Sequence, residues 1–129
     1  MKVQLFILTT VLLSVVFACK STEKVSVKKP KFNIELLYKV WDVESIEVIG
    51  GKKASGDEMG NPQYEFTNKG QRIKSYKTPP HSESVDYFVR NDSIHYSGEK
   101  PLPSSAIVEL TEKRLVLKNE KAEWILFVK

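Results

Sequence analysis

The segment that decides the fold is SVDYFVRNDSIHYS, residues Ser84–Ser97. Apolar side chains occupy every second position on both sides of a polar dipeptide: Val85, Tyr87 and Val89 precede it, and Ile94 and Tyr96 follow it. A period of two is typical of a strand with one buried face. The dipeptide Asn91-Asp92 suits a two-residue turn with positive φ. The segment therefore predicts a tight antiparallel β-hairpin.

The same pattern extends from residue 40 to the C-terminus and predicts eight strands. They are Val40–Ile49, Gln63–Thr67, Arg72–Lys77, Ser84–Arg90, Ser93–Ser97, Ser105–Thr111, Arg114–Lys118 and Glu123–Val128. In the first strand the apolar residues change faces, so we predict a β-bulge near Glu44-Ser45. Ahead of it, Asn33 is placed to cap a short helical turn.

The lengths of the connections predict how the strands are arranged. In an up-and-down meander alternate connections lie at the same end, so the long ones (50–62, 78–83 and 98–103) share one rim. Tight turns at 68–70, 91–92 and 112–113 close the other end, where Gly70 is expected to be left-handed. Pairing of strand eight with strand one would remove both sheet edges. We predict an all-β, eight-stranded antiparallel barrel with one open mouth.

Several segments together resemble the lipocalin-like domain of small bacterial lipoproteins. They are Leu36–Ile46, Tyr64–Gly70, Tyr87–Val89, Asp92–Ile94, Ile107–Thr111 and Leu115–Leu117. The resemblance covers residues 33–129, implies the barrel fold and specifies no transport ligand. Lipocalins carry Gly-x-Trp in strand one with an arginine packed over the tryptophan. Here Lys39-Val40-Trp41 lacks the glycine, and Arg90 and Arg114 are the candidates for that arginine.

The N-terminal sequence predicts an export signal. Residues 5–18 are uncharged, and fourteen helical residues span about 21 Å, less than the roughly 30 Å of a bilayer core. The segment VFAC at 16–19 resembles a lipobox, which implies cleavage between Ala18 and Cys19 and attachment of a diacylglycerol, with acyl chains such as palmitate, to Cys19. The alternative is an ordinary secretory signal. We expect a cell-envelope protein anchored by lipid, at the periplasmic face of the outer membrane or at the surface.

The chain then divides into residues 1–18 (signal peptide), 19–32 (flexible basic tether) and 33–129 (barrel). Residues 20–31 hold five lysines against one glutamate and no amphipathic period. The chain has a single cysteine, so no internal disulfide forms. A net charge of +4 in an exported protein gives no reason to expect a nucleic-acid partner.

Catalytic and metal-binding patterns are weak. Gly51 and Gly56 have the spacing of a phosphate loop, but Asp57-Glu58 follows where Lys-Ser/Thr is required. His81 and His95 lack a converging third ligand. The serines do not stand in a nucleophile elbow. We therefore expect neither enzymatic activity nor a metal or cofactor.

Six aromatic residues on the predicted inward face are the candidate ligand-binding set: Trp41, Tyr64, Phe66, Tyr87, Tyr96 and Trp124. An eight-stranded barrel is just wide enough to be filled by side chains or to hold one small ligand. We expect a filled lower half and a shallow pocket at the mouth that binds a small apolar or amphipathic molecule. The alternative is a filled barrel that serves as a protein-interaction or inhibitor module, for which the sequence names no partner.

Overall fold

The computed structural model describes residues 28–99 and 102–128. Its elements are a 3₁₀ turn (Ile34–Leu37) and nine strands: β1 (Val40–Val48), β2 (Lys53–Ser55), β3 (Gln63–Phe66), β4 (Gln71–Lys77), β5 (Pro80–Arg90), β6 (Ser93–Ser97), β7 (Ser105–Leu110), β8 (Arg114–Lys118) and β9 (Ala122–Phe127). The predicted signal peptide, the cleavage site with Cys19 and most of the tether lie outside the described residues. Among those residues, no helix has the length and apolar character needed to cross a membrane.

Eight of the strands form a closed antiparallel barrel. The order is β1-β3-β4-β5-β6-β7-β8-β9, and β9 returns to pair with β1. The predicted all-β barrel and its closure are confirmed. β2 is an extra strand that pairs with β1 beyond the end of β3. The connections after β1, β4, β6 and β8 lie at one end, called here the mouth; the turns after β3, β5 and β7 and the 3₁₀ turn lie at the closed end.

The local features predicted in β1 and the turns are present. The register of β1 against β9 shifts between Val43 and Ser45, which is the predicted bulge. Asn91 and Asp92 have φ values of 52° and 56°, and Gly70 has a φ of 80°. The Asn33 side chain accepts a hydrogen bond from the Glu35 backbone N–H and caps the 3₁₀ turn.

Two connections predicted as loops contain strand. β2 lies within the connection expected at 50–62, and Lys77 pairs with Pro80, so only two residues separate β4 from β5 where a loop at 78–83 was expected. Most side chains of β2 and all those of 80–84 are exposed, so no apolar alternation marks them in the sequence. The backbone ladder holds the extended β4–β5 hairpin, and the rings of Tyr76 and His81 stack across it at 6.2 Å.

The core fills the closed end of the barrel. Its fully buried side chains include Leu37, Trp41, Phe66, Ile94, Leu115 and Leu126. Leu37 of the 3₁₀ turn belongs to this core, and its carbonyl accepts a hydrogen bond from the Trp41 indole at 3.0 Å. The 3₁₀ turn therefore plugs the closed end by burying a leucine and satisfying the indole N–H, which would otherwise be costly to bury.

A lysine takes the position over the strand-one tryptophan. Lys39 Nζ lies 5.2 Å from the Trp41 ring centroid and donates to the Glu112 carbonyl at 2.9 Å. Neither expected arginine is there: Arg90 lies over Phe88, and Arg114 contacts Glu44 and Glu109 on the outer surface. A long cationic side chain from two residues earlier in the chain covers the ring, so a distant arginine is not required.

The described part of the chain contains a buried core and a closed sheet. Every residue of the core cluster lies between positions 32 and 128, and the β1–β9 pairing closes the sheet within the same range. A fragment of residues 28–129 therefore contains the closed barrel and is suited to binding experiments.

Candidate functional site

A cavity of about 250 Å³ opens at the mouth of the barrel. It is mostly apolar, with a few charged and polar side chains. Its walls are formed by Ile46, Tyr64, Phe66, Arg72, Lys74, Glu83, Tyr96, Leu102, Pro103, Ser105, Leu117, Asn119 and Trp124. Concave, mainly apolar surfaces with a few polar groups are typical of small-molecule sites.

Strand register brings the cavity walls together. On β3 and β4, Tyr64 pairs with Lys74 and Phe66 pairs with Arg72, so all four side chains point inward. On the other side, the bulge returns Ile46 to the inner face, where it pairs with Trp124. Without the extra residue in β1, the pleat would turn the Ile46 side chain outward.

The floor of the cavity is the top of the packed core. Phe66 is 1% exposed and lines the cavity from below. Its ring meets the Tyr87 ring edge-to-face, with 5.2 Å between the centroids. The Tyr87 hydroxyl in turn donates to the Thr67 carbonyl at 2.7 Å at the closed end. The barrel is thus filled below Phe66 and open above it.

A buried arginine is the most unusual group in the cavity. Arg72 is only 9% exposed, and its Cζ lies 5.2 Å from the Tyr64 ring centroid and 5.1 Å from that of Tyr96. Its Nε has no hydrogen-bond partner within residues 28–99 and 102–128. Over the same residues, none of the salt bridges involves Arg72. The two aromatic faces provide the guanidinium's main electrostatic support.

The flanking tyrosines remain neutral at physiological pH. Burial raises the pKa of Tyr96 to about 12, in spite of the Arg72 charge, which lowers it. Burial also raises the pKa of Tyr64, against the lowering effects of the nearby Lys74 and Arg72 charges. Neither phenol ionises near pH 7, so neither supplies a negative charge to the guanidinium.

The other charged groups of the cavity face each other across a hairpin. Lys74 of β4 is paired in register with Glu83 of β5, and both line the cavity towards its rim. Their charges are opposite, but they form no salt bridge within the described residues. Arg72 therefore leaves the cavity with a net positive charge at its inner end.

The structure separates the six candidate ligand-binding residues into two groups. Tyr64, Phe66, Tyr96 and Trp124 line the mouth cavity. Trp41 and Tyr87 lie instead at the closed end: Trp41 is fully buried in the core, and Tyr87 borders a separate outer pocket beside the Asn91-Asp92 turn. Alternation identified inward-facing residues but gave no information on their height along the barrel axis.

Sequence reasoning did not single out Arg72 and Lys74. Both occupy positions of the β4 segment that share a face with Tyr76, and their cross-strand partners Tyr64 and Phe66 point inward. In the sequence, the two residues could have been recognised as charged residues at positions that alternate with the outward-facing ones. Assigning the inward face from apolar residues alone does not identify them.

The motifs considered for other chemistry serve structural roles or lie apart. The Glu58 carboxylate accepts hydrogen bonds from the Ser55 backbone N–H at 2.7 Å and from its hydroxyl at 3.1 Å, and these bonds lower the pKa of Glu58. They fix the turn after β2. Over the described residues, no three His, Cys, Asp or Glu side chains are grouped so as to hold a metal ion.

Comparisons with known proteins identify the fold. No protein-family model and no curated protein sequence matches the chain. Two solved structures are similar: a lipocalin-like protein from Bacteroides uniformis (TM-score 0.61, 12% identity, 73% of this chain and 99% of that one) and an uncharacterized protein from Bacteroides eggerthii (TM-score 0.57, 13% identity, 72% and 99%). At these identities the likeness concerns the fold alone, and it agrees with the closed eight-stranded barrel: this chain has a lipocalin-like fold.

Proposed function

We propose that the protein is a lipid-anchored, non-catalytic binder of one small apolar or amphipathic molecule, held in the mouth cavity. The observation that carries this proposal is the apolar-walled cavity of about 250 Å³ above a fully packed floor. A barrel that served only as a rigid scaffold would gain stability by filling this space, because cavities are costly.

The cavity volume limits the size of the ligand. Binding pockets for drug-sized molecules span about 300–1,000 Å³, and this cavity lies just below that range. At about 30 Å³ per non-hydrogen atom, the volume of one water in the liquid, it holds roughly eight atoms, with more at the open rim. The ligand class is therefore a short acyl chain or a single ring system.

The course of the N-terminal segment supports a particular orientation. The Lys31 backbone N–H donates to the Asp92 carboxylate at 2.9 Å, which holds the end of the tether at the closed end. The membrane anchor proposed at Cys19 would therefore attach at the closed end, with the mouth directed away from the bilayer. The variants Asp57→Cys and Asn91→Cys test this orientation in lipidated protein. The cysteine at position 57 should react freely with a water-soluble maleimide. A protected cysteine at position 57 together with a reactive one at position 91 would show the opposite orientation.

The binding proposal is tested with the fragment of residues 28–129 and two probes, 8-bromooctanoic acid and 8-bromooctan-1-ol. Bromine quenches a nearby tryptophan, and Trp124 lines the cavity whereas Trp41 lies in the core. We expect saturable one-to-one quenching by at least one probe, retained in Trp41→Phe and lost in Trp124→Phe. The absence of saturable quenching by both probes would contradict ligand binding and favour the interaction-module alternative.

The anchor is tested separately by mass spectrometry of the full chain expressed in a bacterium. The expected product begins at Cys19 and carries a diacylglycerol. The Cys19→Ser variant should be neither cleaved at Ala18 nor lipidated. Secreted protein with an unmodified thiol would contradict the anchor and leave the cavity proposal unaffected.

A further inference from the structure

The charge distribution inside the barrel points to the kind of headgroup that the ligand carries. Arg72 is buried, and its Nε has no hydrogen-bond partner in the described residues. A buried cation without an acceptor is unfavourable, because dehydration of the charge is repaid only in part by aromatic faces. Such a group is stabilised when an anion enters the site.

No carboxylate of the described residues forms a salt bridge with Arg72. Glu83, the acidic residue among the lining side chains, faces Lys74 across the β4–β5 hairpin. Tyr64 and Tyr96 stay protonated, because burial holds the pKa of each above its usual value. Glu83, Asp86 and Glu99 border a neighbouring pocket that Arg72 also lines, but none of them forms a salt bridge with the guanidinium.

The apolar wall of the cavity lies across the barrel from Arg72. In a closed circle of eight strands, β8 stands opposite β4. Leu117 on β8, Trp124 on β9 and Ile46 on β1 form this apolar side. The site thus has a cationic side and an apolar side, which matches a molecule with an anionic head and a short hydrocarbon tail.

We infer that Arg72 binds the headgroup of a small monocarboxylate, with the tail packed against Ile46, Leu117 and Trp124. This inference rests on the proposed function, since it assigns the headgroup chemistry of the same ligand. A guanidinium is suited to the role because its planar array of N–H donors matches the two oxygens of a carboxylate.

The competing explanation is that Arg72 serves only as a spacer between two tyrosine rings. A spacer stabilises the barrel through its contacts with the rings and has no preference between charged and neutral ligands. An arginine that binds the headgroup makes the site prefer a charged ligand over a neutral one, and this preference is lost when the guanidinium is removed. A comparison of the affinities of a charged and a neutral ligand therefore distinguishes the two explanations.

The experiment measures the affinities of octanoate and octan-1-ol at pH 7 by titration calorimetry with residues 28–129. The two molecules share the same chain length and differ in headgroup charge. We expect octanoate to bind about tenfold or more tightly, as one charge-assisted hydrogen-bonded contact provides. In Arg72→Met the preference should fall to about twofold or less, and in Arg72→Lys an intermediate preference should remain.

The matched control is Lys69→Met, which removes one positive charge from an exposed turn at the closed end. It should keep the full preference for octanoate, because the charge is outside the cavity. Circular dichroism verifies that each variant is folded. Should Arg72→Met fail to fold, Arg72→Lys and the wild-type ligand pair still decide the matter.

The possible outcomes distinguish a failure of the headgroup assignment from a failure of the proposed ligand-binding function. Equal affinities of octanoate and octan-1-ol for the wild-type fragment would overturn the headgroup assignment while leaving ligand binding intact. Unchanged preference in Arg72→Met would overturn it as well. Failure of both molecules to bind, together with failure of the brominated probes, would overturn the proposed function itself.

Discussion

The two halves of the barrel are built from the same strands but differ in what fills them. Below Phe66, the closed half is packed with Leu37, Trp41, Ile94 and other side chains that have no exposure. Above it, the mouth half leaves a cavity of about 250 Å³ and contains a buried arginine. Packing without voids favours stability, whereas a cavity with an unpaired charge favours binding. We therefore locate most of the stability in one half and the proposed function in the other.

The largest effect should come from truncation in the closed half. Trp41→Ala removes a fully buried indole and its hydrogen bond to Leu37, and we expect it to lower the free energy of unfolding by about 4 kcal/mol. Ile46→Ala, at the cavity wall, should cost only about 1–2 kcal/mol because its side chain already borders open space. Urea denaturation measures both. Equal losses would contradict the division into two halves.

Substitution of the buried arginine should change stability in the opposite direction. Arg72→Met keeps the length of the side chain and removes the unpaired charge, so we expect the ligand-free barrel to gain about 1–2 kcal/mol of unfolding free energy. The loss of two cation–π contacts limits the gain. Urea unfolding of the wild type and the variant at pH 7 measures the difference. A clear loss of stability would instead identify Arg72 as a structural spacer.

Alkaline pH should destabilise the mouth half through its buried tyrosines. Burial raises the pKa of Tyr96 to about 12, whereas a tyrosine in the unfolded chain ionises near 10. The contribution to stability is fully present below pH 10 and is lost as the pH rises through about 12, because the unfolded state releases its proton first. Tyr96→Phe should reduce this loss by up to about 2 kcal/mol. Parallel stability curves for wild type and variant between pH 9 and 12 would contradict the assignment.

The smallest effect should come from the cap of the closed end. Asn33→Ala removes the side-chain acceptor for the Glu35 N–H, and we expect it to lower the unfolding free energy by about 0.5–1 kcal/mol. Asn33→Asp keeps an acceptor and is the matched control. The two variants should differ measurably in urea midpoint. Identical midpoints would show that burial of Leu37, and not the cap, holds the 3₁₀ turn.

Local pattern was enough to predict the strands and most turns, and it was insufficient where both faces of a strand are exposed. The Asn91-Asp92 hairpin and the bulge at Glu44-Ser45 followed from alternation and turn chemistry, which act over a few residues. The strand conformation of residues 80–83 could not be predicted in this way, because backbone pairing with β4 stabilises it without apolar side chains. The expected signal peptide and lipidation at Cys19 lie outside the described residues and stay predictions.

The sequence by itself determined the strands and their tight turns, since a period of two and the turn residues depend only on neighbouring positions. Closure of the predicted barrel depends on the pairing of β1 with β9, which are far apart in the sequence. Tertiary structure alone decided which inward residues meet around a cavity: it separated Trp41 and Tyr87 from Tyr64, Phe66, Tyr96 and Trp124. It also placed Arg72 between two aromatic rings. The physical reason is that alternation assigns a side chain to the inside or the outside, whereas its height along the barrel and its partners depend on the register of strands distant in sequence.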